Sequence, residues 1–357
     1  MNPKILLLQA TLSNYNVPVF NILSQNFDLT VAYTIKNECK ENVLFKIKKL
    51  NYIKFGSLIF IKNGFHKMCS QFDVIIFLTD LHYVSYCYLP FISRKYKVIP
   101  WTIGIRASYK KRYDLSRKKD FIDRIYGKIL NRSDAIIFYM KEPLKFWGEI
   151  INKEKVFIAH NTVDVLTNLN YESKQKNRII FIGTLYKEKK IYELINAFIE
   201  AKNKCKLNDF PCLDIIGDGY EYENLKKLIE KHKLTDSINL CGAIFDKKEL
   251  AKYFSKALLC ISPDQAGLSV LVSMGHGVPF VTRADAITGG ERMNIIDKKN
   301  GQFYNNQKEL TSIIEETCIN PGKYIEMGKK AQEYYRSNAT IKHMARGFID
   351  AIQYTLN

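Results

Sequence analysis

The sequence predicts an α/β protein built from two parallel-sheet domains, and three observations carry that expectation. Short apolar runs alternate with segments whose apolar residues recur at helical spacing, the pattern of stacked βα units. The chain has 357 residues, more than a single hydrophobic core usually serves and suited to two domains. A polar stretch without periodicity, Asn161 to Asn177, interrupts the pattern just before Arg178 opens a new strand.

The predicted strands follow in order. In the first half they are Ile5 to Leu8, Leu29 to Tyr33, Val74 to Leu78, Val98 to Pro100, Ala135 to Phe138 and Val156 to Ala159. In the second half they are Ile179 to Ile182, Leu213 to Ile216, Ile238 to Leu240, Leu258 to Ile261 and Val278 to Thr282. Between them Ile191, Leu194, Ile195 and Phe198 share one helix face, as do Leu225, Leu228 and Ile229. Asp246 with Glu249 makes a capping-box start for another helix. Near the end Met344, Ala345, Phe348, Ile349 and Ile352 form an apolar stripe that must pack on something.

Hydrophobic residues make up 46% and charged residues 25%, which excludes disordered, collagenous and membrane-spanning compositions. The uncharged stretch Leu81 to Ser93 is too short and too broken to span a bilayer, and Ile5 to Leu8 is too short for a signal-peptide core. The eight cysteines include no C-x-x-C pair and read as thiols of a reducing cytosol. With 54 Lys and Arg against 36 Asp and Glu, the net charge of +18 points to an anionic partner such as a membrane surface, nucleic acid or metabolite. It is unevenly placed: residues 1–177 carry +14 and residues 178–357 only +4. The densest basic part, Arg106 to Lys119, holds one acid, Asp114, and runs into Phe121, Ile122, Ile125, Tyr126 and Ile129 at helical spacing. Two readings stand side by side: a patch that docks on anionic lipid head groups or an anionic acceptor, or a solvated loop before a core-facing helix.

Three features of the second half suit a diphosphate. Gly183, Thr184 and Leu185 end a strand and lead to Lys187, Lys189 and Lys190 at a helix start. Gly217-Asp218-Gly219 opens the next helix, but Tyr222 takes the third glycine position of G-x-G-x-x-G, so a nicotinamide reading is weak and the turn reads as structural. Ser262 to Ser269 then joins a buried strand to a short helix. There the amides of Gly267 and Leu268 could face phosphate while Asp264 accepts from sugar hydroxyls; Gly267 could instead serve only close packing. Among the histidines, His160 reads as a strand-end packing residue, and His276 lies beside the proposed site in sequence.

Across nearly its whole length the chain resembles the retaining glycosyltransferases of family 4, with the GT-B fold. Gly183 to Phe198 is similar to the family's G-R-L-x-x-x-K-G-x-x-x-L-I-x-A-F, and Leu213 to Gly219 to its L-x-I-x-G-x-G. Ser262 to Val281 resembles its P-S-x-x-E-G-F-G-L-x-x-x-E-A-M-A-x-G-x-P-V. Asn14 to Phe20 and Val156 to Asp164 look like members that build bacterial O-antigen and capsular polysaccharides.

The resemblance implies two Rossmann-like domains facing a cleft: an acceptor-binding domain at 1–165, a linker at 166–177 and a nucleotide-sugar-binding domain at 178–335. A C-terminal helix at 336–357 crosses back to the first domain. Lys189 and Asp264 take the catalytic positions, with Gly183, Thr184, Gly217, Gly267, Leu268 and Ser269 on the donor. Thr184 replaces the family's phosphate-binding Arg, Asp264 shortens its first motif Glu, and Val272 replaces the second, which holds the ribose. Glu291 is a candidate substitute there, or a surface Glu in a turn. Tyr15, Asn16, Gly104 and Arg106 are the acceptor-side candidates.

The expected activity is transfer of a sugar, with retention and without metal or cofactor, from a nucleotide-sugar, UDP-sugar favoured, to a glycan. The acceptor is expected to be undecaprenyl-diphosphate-linked and met on the inner face of the cytoplasmic membrane, in lipopolysaccharide or capsule synthesis. No D-x-D pair occurs to hold a divalent ion. The rivals are a nucleotide-sugar epimerase of related fold and a basic protein without enzymatic activity that binds nucleic acid or a membrane surface. A nucleic-acid partner is not expected, since only Tyr109 and Tyr113 lie within the basic patch and no reading motif surrounds it.

Overall fold

Apolar runs too short for helices pair into two parallel sheets in a computed structural model that describes all residues except 1, 41, 63, 108–111, 167–175 and 206–209. The described chain divides into two units, Met1–Asp164 with Ala339–Asn357, and Val165–Asn338. Residues 167–175, most of the expected linker, lie outside the described residues.

Unit 1 contains β1 (Lys4–Leu12), β2 (Asp28–Asn37), β3 (Lys46–Lys49), β4 (Tyr52–Phe55), β5 (Leu58–Ile61), β6 (Val74–Leu78), β7 (Lys97–Thr102), β8 (Ile136–Phe138) and β9 (Val156–Ile158). Its sheet runs β3-β2-β1-β6-β7-β8-β9, all neighbours parallel, while β4 and β5 form a separate antiparallel hairpin. The middle strands are buried on both faces, so they read as continuous apolar runs without alternation.

Unit 2 contains β10 (Arg178–Ile182), β11 (Cys212–Ile216), β12 (Ile238–Gly242), β13 (Ala257–Ile261), β14 (Phe280–Arg283) and β15 (Gly301–Tyr304). Its order is β12-β11-β10-β13-β14-β15, the doubly wound arrangement in which the chain reverses direction beside its first strand. The Ile191–Lys204 helix buries Leu194, Ile195, Phe198 and Ala201 in the unit's core, the face that its apolar spacing marks. Asp246 caps the Lys247–Ser255 helix by accepting from the Glu249 amide at 2.8 Å.

The expected strands are all present, β1 and β2 running on to Leu12 and Asn37. The sequence reading missed β3, β4, β5 and β15. β3 is four exposed residues, Lys-Ile-Lys-Lys, at a sheet edge, where nothing demands an apolar run. The C-terminal helix, Ile341–Leu356, belongs to unit 1. It buries Met344, Ala345, Phe348 and Ile352 and sets Phe348 edge-on to Trp101 at 5.0 Å. A Cβ on Gly347 would stand 2.2 Å from the Ile158 carbonyl oxygen, so this helix lies directly on β9.

Candidate functional site

In a doubly wound sheet, ligands gather outside the carboxyl ends of the strands where the order reverses. In unit 2 that point lies between β10 and β13, and the loops leaving them are the two segments with diphosphate character, Gly183 to Lys190 and Ser262 to Ser269. Two side-chain links join these loops: the Tyr186 hydroxyl donates to Gln265 Oε1, and Lys190 Nζ lies 3.2 Å from Asp264 Oδ2. Asp264 is buried and its backbone is held by Ile287, whose amide donates to the Asp264 carbonyl at 2.9 Å.

Lys189 is buried too. Its ammonium occupies the space a side chain on Gly183 would fill, 3.2 Å from the position of such a Cβ, and lies 5.7 Å from the centre of the Tyr186 ring. Among the described residues no carboxylate forms an ion pair with it, and burial pushes its pKa down to about 8. Lys190, which the sequence marks only as one of the lysines after this strand, stands where the family pattern has Gly and adopts that residue's left-handed backbone, φ +51°, as N-cap of the Ile191–Lys204 helix. Its signal was the lysine run after β10, but its pairing with Asp264 depends on loop geometry that spacing does not encode. Thr184 is exposed on the same loop.

Gly217 supports the loop from beneath. A Cβ there would fall 1.9 Å from the Gly183 carbonyl oxygen, so the buried Gly217 lets two backbones touch at the end of β11. Gly267 shows the reverse: a Cβ there meets nothing within 4 Å, so its glycine is not explained by close packing and open space adjoins it. Leu268 is the N-cap of the Ser269–Gly275 helix, and the Ser269 hydroxyl is buried with no hydrogen-bond partner among the described residues. An orphaned buried hydroxyl beside open space is a group that a polar ligand can satisfy.

Glu291 is buried and not a surface residue: its Oε2 accepts from the Gly289 amide at 3.0 Å and from the Thr288 hydroxyl at 3.2 Å. The loop it braces follows Ile287, which pairs with Gln265 beside Asp264. Val272 is half-buried on the Ser269–Gly275 helix. His276 stacks on Phe254 at 4.8 Å, and burial pushes its pKa down to about 4, leaving a neutral packing ring. Among the described residues no group of three or more His, Cys, Asp or Glu is arranged to hold a metal ion.

In unit 1 the corresponding reversal lies between β1 and β6. Tyr15 and Asn16 occupy the short turn Asn14–Asn16 that leaves β1. Gly104 and Arg106 follow β7, but Gly104 is buried, with its carbonyl accepting from the Trp147 indole at 2.7 Å and Pro143 packed against it. Arg106 donates to Asp120 and, at 2.9 Å, to Asp123; Arg117 also grips Asp123, whose carboxyl these guanidiniums hold far below the usual carboxylate range. The basic stretch is therefore partly neutralised by acids just beyond its end, while residues 108–111 lie outside the described residues. Gln9 Oε1 and Thr79 Oγ1, which the sequence did not flag, and Nε1 of Trp101, which opens the turn leading to Gly104 and Arg106, are buried without hydrogen-bond partners among the described residues, in β1, just after β6 and in β7. No spacing rule marks them, because each sits inside or beside an apolar strand.

Residues 169–334, nearly all of unit 2, match the family model described as Glycosyl transferases group 1. The second unit is thus similar to the group 1 glycosyltransferases. An uncharacterized glycosyltransferase of Haemophilus influenzae is 24% identical over 237 residues, covering 64% of this chain and 65% of that protein. Alpha-monoglucosyldiacylglycerol synthase of Acholeplasma laidlawii is 28% identical over 156 residues, 43% of this chain and 37% of that protein. The match thus spans less than two thirds of either relative's length. Anabaena HepE, solved with UDP and glucose, superposes with a TM-score of 0.71 over 98% of this chain and 99% of that one at 16% identity. The α/β architecture of two Rossmann-like domains is thereby that of the GT-B glycosyltransferases.

Proposed function

We propose that the chain is a retaining, metal-independent glycosyltransferase. It moves a sugar from a nucleotide-sugar, UDP-sugar favoured, onto a lipid-linked glycan at the cytoplasmic face of a membrane, in the synthesis of a surface polysaccharide. The observation that carries the reading is Lys189: a cation taken out of water with no carboxylate against it is costly until an anion arrives, and a diphosphate is such an anion. The open space at Gly267 and the orphaned Ser269 hydroxyl lie on the facing loop of the same reversal point. The glycosyltransferase family match to unit 2, the UDP bound to HepE and the glycolipid in the name of the Acholeplasma relative support donor and acceptor class.

In this reading the bond from the anomeric carbon to the diphosphate breaks as the acceptor oxygen bonds on the same face, and the acceptor's proton passes to the departing diphosphate oxygen. Lys189 opposes the charge that grows on the leaving group, a preorganised electrostatic contribution of the kind that dominates such sites. Asp264 takes hydrogen bonds from the sugar hydroxyls. The test is a thermal-shift screen with UDP, GDP, dTDP and CMP, followed by nucleotide release from the matching sugars with and without acceptor glycans. One nucleotide at a hundredfold excess over Kd should stabilise by about 2.7 kcal/mol, and Lys189→Ala should abolish that shift. Release only with acceptor is the expected result; turnover of donor alone, or no release from any sugar, overturns the reading.

A further inference from the structure

The β4–β5 hairpin has its faces the wrong way for a hairpin that meets only water. Its register pairs Tyr52 with Ile61, Ile53 with Phe60, Lys54 with Ile59 and Phe55 with Leu58. Ile59 is buried, and Tyr52 and Ile61 pack with it on the core cluster of unit 1 that includes Leu50, Tyr83 and Tyr86. One face is thus spent on the core. A hairpin lying on a domain in this way normally turns polar side chains outward. Here the outer face is Ile53, Phe55, Leu58 and Phe60, two directly opposed pairs that are 57%, 79%, 38% and 38% exposed. The tip is a two-residue turn, Gly56-Ser57, with Gly56 at φ +59°, so Phe55 and Leu58 flank the outermost point.

The stretch of sequence that carries this face has charge of one sign. Between Asn42 and Phe72 the sequence has no Asp or Glu, while Lys46, Lys48, Lys49, Lys54, Lys62 and Lys67 lie there and are exposed. Lys46 is paired with Asp28 at 2.7 Å, an acid from the neighbouring strand. A contiguous exposed apolar patch marks an interaction surface, and exposed lysines on the same segment select an anionic one. A second copy of the chain would meet the same lysines and be repelled. Nucleic acid would use the lysines and leave two aliphatic side chains and two phenylalanines in water. An anionic bilayer satisfies both features at once, head groups taking the lysines and the interface taking the apolar tip.

We propose that the β4–β5 hairpin is a membrane-docking wedge, inserting Ile53, Phe55, Leu58 and Phe60 into the interface of a bilayer rich in anionic lipid. This rests on the membrane part of the function proposed above and not on the donor site. It assigns docking to a segment other than the Arg106 to Lys119 stretch, whose Arg106 and Arg117 are held by Asp120 and Asp123.

The experiment is cosedimentation of the purified full-length chain with phosphatidylcholine vesicles, with and without phosphatidylglycerol. Wild type should sediment with the anionic vesicles only. Ile53→Ser/Phe55→Ser should weaken that binding by about tenfold or more, and Lys48→Glu and Lys54→Glu by at least about fivefold each. All four positions are solvent-facing, so melting temperature and the nucleotide-induced shift should stay at wild-type values, which separates loss of docking from loss of fold. Sedimentation of wild type with the hairpin variants binding equally well overturns the wedge and leaves the membrane reading standing. No sedimentation of wild type overturns both. Concentration-dependent self-association that the hairpin variants abolish, without vesicle binding, assigns the face to a second copy and overturns the proposal.

Discussion

At Lys189 the structure stores a cost that a ligand would relieve. The ordinary pKa of 10.5 falls to about 8 because burial disfavours the ammonium, so at neutral pH the folded chain holds a charge worth about 3 kcal/mol of destabilisation. The unfolded chain binds the proton more tightly than the folded one. The cost is therefore fully present below pH 8 and disappears as pH rises from about 8 towards 10.5. Lys189→Met, which keeps the stem and drops the charge, should raise the stability of the unliganded protein at pH 7 by about 1 to 3 kcal/mol while abolishing nucleotide binding. Denaturant melts at pH 7 and pH 10 check it: the gain should shrink at the higher pH. For the wild type, nucleotide affinity measured by calorimetry should be flat below about pH 8 and fall above it, as the free site loses its proton. Lys190 invites a different comparison. Its left-handed backbone favours glycine by about 1 kcal/mol, while its ammonium faces the buried Asp264. Lys190→Ala keeps the strained backbone and loses the ion pair, so it should cost about 1 to 2 kcal/mol in urea melts, and Lys190→Gly should cost less. Equal losses would mean that the backbone conformation contributes nothing.

Between elements the fold depends on close approach of backbones, and that is where sequence reading succeeds only in part. The Gly217-Asp218-Gly219 turn was legible as structural from its incomplete fingerprint, yet its partner, the Gly183 carbonyl, comes from another loop 34 residues earlier and no local pattern names it. Gly217→Ala would drive a methyl into that carbonyl, so the loop carrying Lys189 must shift; a loss of about 2 kcal/mol or more, with weakened nucleotide binding, is expected from paired melts and thermal shifts. The strands were readable because a parallel sheet buried on both faces demands uninterrupted apolar runs, as in β6 and β13. The same rule hid β3, whose lysines sit on an exposed edge, and the β4–β5 hairpin, whose two apolar faces leave no alternation to detect. Lys189, Asp264 and Gly267 were legible because the motif spacing carries them. Gln9 and Thr79 were not, since only the folded sheet reveals that their polar atoms lack partners among the described residues.

For the molecule as a whole, the last nineteen residues matter more than their position suggests, because the chain leaves unit 1 at Asp164, builds unit 2 and returns at Ala339 to complete the first core. The Ile341–Leu356 helix buries Met344, Phe348 and Ile352 and covers β9 through Gly347. Losing one such side chain costs about 2 to 5 kcal/mol, and a domain's whole stability is about 5 to 15 kcal/mol, so removing three at once exhausts what holds unit 1 together. Unit 2 has a separate core, built from β10, β11, β13 and the helices on them, that uses none of these residues. A chain ending at Asn338 should therefore lose the protected amides of β1, β6 and β7 in hydrogen exchange, while β10 and β13 stay protected and still respond to nucleotide. Loss of protection in both units would show that unit 2 needs unit 1 to fold; retention in both would show that the helix covers unit 1 without holding it.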